Sequence, residues 1–297
     1  MADLLFKLLF RLLALLPLGI LHGLGALLGR VIYATSAQYA ARARENLQQS
    51  NLAPDKTRYR DMLSATIAEA GKGLVELAWI WGRPYNEVLG KVRECVGLEH
   101  IIAAQARGKG IIFLTPHLGC FEISALYAAQ RVPITVLYRS PKLRWLEGVM
   151  RNGRERGQAK LAKADIGGVR LLYKALKRGE AIGLLPDQVP SQGEGEWANF
   201  FGRPAYTMTL AGRLAENSGA TVLIAYSERL PHGEGYVIHV DPLPLDFSAP
   251  VAQQINAALE GAIRACPAQY LWSYNRYKIP RGVSAPTPHS PLSTPAL

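Results

Sequence analysis

The chain has 297 residues, 49% of them apolar, a formal charge of +11 and three cysteines. That much apolar side chain excludes an intrinsically disordered polymer. The scattered Cys95, Cys120 and Cys266 make neither a fully paired disulfide framework nor a CxxC metal knuckle, which fits a reducing compartment. The basic excess calls for an acidic partner, and charge alone leaves nucleic acid, an anionic membrane and an acidic carrier protein open.

The first thirty residues narrow that choice, because they are basic, apolar and nearly free of acids. Between Arg11 and Arg30 the chain carries no formal charge, close to the roughly 20 residues that cross a bilayer. Lys7 and Arg11 precede this run and Arg30, Arg42 and Arg44 follow it, so the positive-inside rule gives little orientation. A span, a helix lying in the interface and a buried core helix all remain open. A cleaved secretory signal fits less well: the run is long, lacks a clear small-residue cleavage site and leads into basic sequence. Gly23, Gly25 and Gly29 lack dinucleotide-loop spacing and no strand precedes them, so they read as small residues in a membrane helix. Residues 1–34 are read as a membrane-anchoring helix.

Residues 36–95 interleave polar and apolar positions at helical spacing, with breaks near Pro54 and Pro84, and predict a helical layer. From Gly110 the texture changes to short apolar runs at residues 111–114, 134–138, 181–185, 221–226 and 236–240, which read as buried strands. Helix-like stretches near 120–130, 143–156, 168–178, 207–218 and 251–265 separate them. The alternation predicts an α/β fold over residues 35–279, a largely parallel central sheet flanked by helices. Residues 280–297 are rich in Pro, Ser and Thr and read as a disordered tail.

One turn concentrates chemistry. The run ending at Leu114 drops into Thr115-Pro116-His117-Leu118-Gly119, so His117 should leave the C-terminal edge of a strand, where open α/β sheets bind ligands. Glu122 then falls in the first turn of the next helix, from which its carboxylate is expected to reach back and hold the imidazole in one tautomer. A base oriented in this way removes a hydroxyl proton as the oxygen attacks an activated acyl carbonyl, and the helix N-terminus adds amide donors. On these residues alone, a turn-capping His with an exposed first-turn acid is the favoured reading, since six-residue patterns arise by chance. Cys120 reads as a small buried residue rather than a thioester nucleophile. There is no G-x-S-x-G elbow, H-E-x-x-H zinc site or G-x-x-x-x-G-K-[ST] loop.

Five further blocks follow in order: Tyr138-Arg139-Ser140-Pro141-Lys142, Arg154-Glu155-Arg156-Gly157, Leu184-Leu185-Pro186-Asp187-Gln188, Phe200-Phe201-Gly202-Arg203-Pro204-Ala205 with Thr207, and Pro267 to Trp272 with Arg276-Tyr277-Lys278. With the His117–Glu122 segment, which resembles the H-x4-D/E box of glycerolipid acyltransferases, they resemble the late acyltransferases of lipid A biosynthesis, the lauroyl and myristoyl acyltransferase family. Ser140 and Tyr274-Asn275 depart from that pattern and leave the acceptor open among a lipid A precursor, a lysophospholipid and an ornithine lipid.

The resemblance implies an O-acyltransferase that takes its chain from the thioester of acyl-carrier protein. His117 and Glu122 would be its catalytic pair, and Arg154, Asp187, Arg139, Lys142, Arg203 and Thr207 would bind substrate. The basic stretch from Arg139 to Arg156, with Lys142, Arg144 and Arg151, offers donors for phosphate on a glycolipid or a carrier's prosthetic group, or a solvated face. Asp187 follows a strand and reads either as a site residue or as a turn-former beside Pro186. No metal or other cofactor is expected. The expected partners are acyl-carrier protein, a membrane lipid acceptor and an anionic membrane surface, with no nucleic acid, at the cytoplasmic face of the inner membrane. A non-catalytic protein binding anionic lipid is the rival class, and it gives no reason for an acid five residues after a His at a strand end.

Overall fold

Proline and capping side chains divide the N-terminal third of the computed structural model, which describes residues 2–141 and 143–286, without the side chains of residues 2–5 and Arg144. The expected single anchoring helix is two, α1 (Ala2–Leu15) and α2 (Leu18–Thr35), because Pro17 cannot donate into a continuing helix. Helix α3 (Ala37–Gln49) starts at Ser36, whose side chain accepts from the Tyr39 N–H. Helix α4 (Lys56–Gly82) starts at Asp55, which accepts from Arg58 N–H, and stops at Arg83, held extended ahead of Pro84. The short α5 (Tyr85–Leu89) completes the layer.

The α/β part runs β1 (Val92–Val96), α6 (Leu98–Ala106), β2 (Ile111–Leu114), α7 (Phe121–Ala128), β3 (Ile134–Tyr138), α8 (Arg144–Arg154), β4 (Ala159–Lys163), α9 (Ile166–Lys177), β5 (Ala181–Leu184), β6 (Gly195–Phe200), β7 (Arg203–Met208), α10 (Leu210–Ser218), β8 (Thr221–Arg229), β9 (Tyr236–Pro242) and α11 (Val251–Ala265). All five predicted strands form. The helical reading of residues 36–95 overshoots: residues 92–96 form an edge strand, stabilised by a parallel ladder to β9 that no local pattern announces. Strand β4, and the antiparallel hairpin of β6 and β7 outside the main sheet, are likewise tertiary outcomes.

The seven main strands order as β1-β9-β8-β2-β5-β3-β4, and every neighbouring pair is parallel except β8 with β9. The sheet is therefore largely parallel, as expected. Successive side chains of β2 point to opposite faces. Ile111 and Phe113 pack with Trp79 and Ile80 of α4 and Ile123 of α7, while Ile112 and Leu114 pack with α9, α10 and α11. Burial on both faces explains why these strands read as unbroken apolar runs rather than alternating ones.

The register of β2 and β5 matters most for function. Leu114 lies opposite Leu184, and the Thr115 N–H extends the ladder to the Leu184 carbonyl at 2.9 Å. The residues three positions beyond these strand ends, His117 and Asp187, therefore emerge side by side.

Candidate active site

Backbone constraints hold the loop after β2. Gly119 has a φ of +59°, and a Cβ there would meet the Ser227 carbonyl oxygen at 1.9 Å, so only glycine fits. The amides of Gly119 and Cys120 donate to the carbonyls of Gln269 and Ser227 at 3.0 and 2.8 Å, and the His117 carbonyl accepts from the Leu271 N–H at 3.1 Å. These bonds fix the loop to β8 and the C-terminal segment.

The carboxylate that orients His117 is Asp187, not Glu122. Asp187 Oδ1 lies 2.7 Å from His117 Nδ1, and its Oδ2 accepts the His117 backbone N–H at 2.8 Å. With Nδ1 donating to Asp187, Nε2 is the acceptor, facing the side-chain amide of Gln188 at 3.1 Å. The ring packs on Phe121, centroids 4.8 Å apart. Burial disfavours charge on Asp187, but the His117 charge, the two bonds from His117 and the nearby Arg276 outweigh it and hold the carboxyl below its ordinary range. Asp187 is only 2% exposed and faces His117 rather than the open groove, where a substrate-binding residue was expected.

Glu122 does lie in the first turn of α7, but its side chain turns towards α4 and α8. Its Oε2 accepts from Trp81 Nε1 at 3.0 Å and from Arg154 Nε at 2.8 Å, and its Oε1 pairs with Arg154 Nη2. This two-pronged pairing consumes the carboxylate and the guanidinium together. Arg154 thus meets a protein carboxylate where a substrate phosphate was expected; burial works against its charge, and Glu122 outweighs that and raises its pKa. Arg151 is also paired, with Glu155 and the Tyr138 hydroxyl, and Arg156 donates to the main-chain carbonyls of Ile80, Arg83 and Gly153. Three cations of the basic stretch, Arg151, Arg154 and Arg156, thus belong to an internal network.

The remaining expected residues divide. Arg139 is exposed and lines the groove that contains His117. Lys142 lies outside the described residues. Arg203 lines a different surface groove with Arg44 and Glu45, is 3.5 Å from the Glu45 carboxylate and stacks on Tyr277, so it is not brought to His117. Thr207 is fully buried; its hydroxyl donates to the Ala205 carbonyl and accepts from Asn256 and, at 2.7 Å, from Arg276. Its role is therefore to hold Arg276, which supports the Asp187 charge. Cys120 is 2% exposed and burial pushes its thiol well above the ordinary range, so it is no nucleophile. Trp81 and Gln188 are site residues that sequence reasoning did not assign. Gln188 follows Asp187 in its turn, but nothing local marks Trp81 in α4.

Two cavities meet at this point. An open groove runs from His117 past Arg139 to α9, with Lys163, Arg170, Lys174 and Lys177 along it. A more enclosed, apolar cavity lies between α7 and the sheet, walled by Phe113, Ala125, Ile134, Val136 and Ala225. The two share Phe121, Leu137, Arg154, Leu184 and Leu185, so the apolar cavity opens beside the imidazole.

An oriented imidazole at the C-terminal edge of a parallel sheet, next to an apolar slot, is an arrangement able to carry out acyl transfer. Residues 2–279 match the profile of the bacterial lipid A biosynthesis acyltransferases, and the chain belongs to that family. It is similar to a lipid A biosynthesis lauroyltransferase of Escherichia coli K12, 28% identical with 90% of this chain and 89% of that one aligned. A lipid A biosynthesis palmitoleoyltransferase of the same organism is also 28% identical, over 89% and 86% of the two chains. A lipid A biosynthesis acyltransferase of Haemophilus influenzae is 27% identical over 88% and 82%.

Proposed function

We propose that the protein moves a fatty acyl group from the thioester of acyl-carrier protein to a hydroxyl of a lipid A precursor, with His117 as general base and Asp187 as the residue that orients it. The observation that carries this reading is the His117–Asp187 contact at 2.7 Å beside the mouth of the apolar cavity. Asp187 holds Nδ1 as the donor and leaves the Nε2 lone pair towards the groove, where the acceptor hydroxyl would replace the Gln188 amide.

The acceptor hydroxyl proton passes to Nε2 while its oxygen attacks the thioester carbonyl. The tetrahedral adduct collapses with cleavage of the C–S bond, and the thiolate takes the proton back from the imidazolium. The products are an ester and a free thiol, the imidazole ends neutral, and the thioester is the sole co-substrate. Asp187 stabilises the imidazolium between these steps. The apolar cavity, about 60 Å³, suits a few methylenes of the acyl chain, with the Glu122–Arg154–Trp81 cluster bracing its mouth, and the lysines and arginines along the groove suit an anionic headgroup or an acidic carrier. Donor chemistry and free cysteines agree with a location at the cytoplasmic face of the inner membrane.

Purified full-length protein, given acyl-carrier-protein thioester and a lipid A precursor, should add one acyl mass to the precursor by mass spectrometry. Acylation of a lysophospholipid or an ornithine lipid in preference would overturn the acceptor. Near-normal transfer by folded His117→Ala protein would overturn the mechanism.

A further inference from the structure

Helix α2 is long and apolar enough to cross a bilayer, yet its contacts tie it to the catalytic domain along its length. At its start, a Cβ on Gly19 would lie 2.6 Å from the carbonyl oxygen of His232, in the turn between β8 and β9. One turn on, His22 is buried and its Nε2 lies 3.3 Å from Glu76 of α4. Further along, Gly25 and Gly29 meet Gly71 of α4 backbone to backbone, so close that a Cβ on Gly71 would lie 2.0 Å from the Gly25 carbonyl oxygen. Beneath this seam Glu76 also binds Arg229 at the end of β8 and the Tyr236 hydroxyl of β9, and Arg229 reaches Glu69, which pairs with Lys72. If α2 crossed the membrane, α4 and this charged cluster would have to enter the hydrocarbon beside it, which is unfavourable even for paired charges.

The opposite side of α2 has no protein partner among the described residues. Ile20, Leu24, Leu27 and Val31 form one stripe, each 45–58% exposed. Phe6, Leu8, Leu9, Leu12 and Leu15 of α1 continue the apolar surface. With 14 residues, α1 is about 21 Å long, short of the roughly 30 Å hydrocarbon core, and Arg83 of the domain caps it by donating to the Ala14 and Leu15 carbonyls. No acidic residue occurs from Leu4 to Arg44, whereas Lys7, Arg11, Arg30, Arg42 and Arg44 do. An apolar stripe edged by cations and free of acids matches one leaflet of an anionic bilayer.

We infer that α1 and α2 form a bent, in-plane platform that sinks into a single leaflet, so that the protein is monotopic and no helix of this pair crosses the membrane. Pro17 is the elbow, and the Gly25–Gly29–Gly71 seam and the Glu76–Arg229 cluster hold the catalytic domain against the same leaflet. The inference concerns membrane topology and stands apart from the acyl-transfer scheme.

The test is depth measurement on the full-length chain, with Cys95, Cys120 and Cys266 replaced by alanine and single cysteines introduced as Ile20→Cys, Leu24→Cys, Leu27→Cys and Val31→Cys. These are exposed positions, so a small fluorophore on each perturbs the fold least, and circular dichroism checks that it persists. In phosphatidylcholine–phosphatidylglycerol vesicles carrying nitroxides high or low on the acyl chain, all four labels should be quenched more by the shallow nitroxide. A crossing helix would separate the first and last labels by about 17 Å in depth. A shallow-to-deep progression along the four positions overturns the inference. Absence of quenching by either lipid also overturns it, showing that this face meets another protein surface or water.

Discussion

Among the described residues two histidines contact a buried carboxylate, and the two contacts differ in access to solvent. At the strand edge, Asp187 meets His117 through both Nδ1 and the backbone N–H, and the far ring nitrogen faces the groove across the Gln188 amide. Under α2, His22 lies 3.3 Å from Glu76, but that carboxylate also receives the Arg229 guanidinium and the Tyr236 hydroxyl, and both members of the pair are sealed from solvent. A carboxylate beside a histidine therefore does not mark a base. A base also needs an accessible second nitrogen, since a proton must arrive from substrate and leave again. In the closed cluster the charges serve to hold elements together.

The comparison is tested most severely by removing each imidazole. His117→Ala should lower kcat/KM for acyl transfer by about 10²- to 10⁴-fold with little change in the unfolding midpoint. His22→Ala should leave kcat within about threefold and lower the unfolding midpoint, as expected for a buried packing and hydrogen-bonding residue. Comparable activity loss in both variants would erase the distinction drawn here. Asp187→Asn should cost somewhat less than His117→Ala. Its effect should be largely lost in the double variant, because the carboxylate acts through the ring; additive losses would mean that it has an independent role.

On the closed side, Arg229→Met leaves Glu76 buried without its main partner, which should destabilise the fold by about 3–5 kcal/mol by urea denaturation. Adding Glu76→Leu should recover part of that loss. The cluster should also leave a pH signature. Burial opposes the Glu76 charge, but Arg229 and the His22 contact overcome it and bring the carboxyl from an ordinary 4.5 to about 2. A folded-state pKa below the unfolded one gives stability that is present above about pH 4.5 and is lost as pH falls towards 2. Unfolding midpoints measured between pH 6 and pH 2.5 should therefore decline less steeply for Glu76→Gln than for the parent protein. The smallest effect is expected at Arg203, whose ion pair with Glu45 is solvent-accessible and far from the imidazole's groove: Arg203→Ala should change transfer less than twofold.

The sequence by itself determined five apolar strands of the α/β domain, the break at Pro84 and the position of His117 beyond a strand end, because hydrophobic periodicity and proline are local signals. It also marked Asp187 and Arg154 as residues of interest, through the ordered blocks that contain them. What it did not determine was their pairing. Whether His117 meets Glu122, five residues away, or Asp187, seventy away, depends on β2 and β5 being neighbours with Leu114 opposite Leu184, a fact of sheet order that no window of sequence contains. Glu122 is drawn off by Arg154 and by Trp81, which arrives on a helix forty residues upstream. The same reason governs the N-terminus. Composition gave α2 the length and apolarity of a membrane span, and only packing against α4, β8 and β9 revealed that one of its faces is already occupied by glycine contacts and a buried charge cluster. Apolar character is set residue by residue, whereas the partner of each polar group is set by which strands and helices become neighbours.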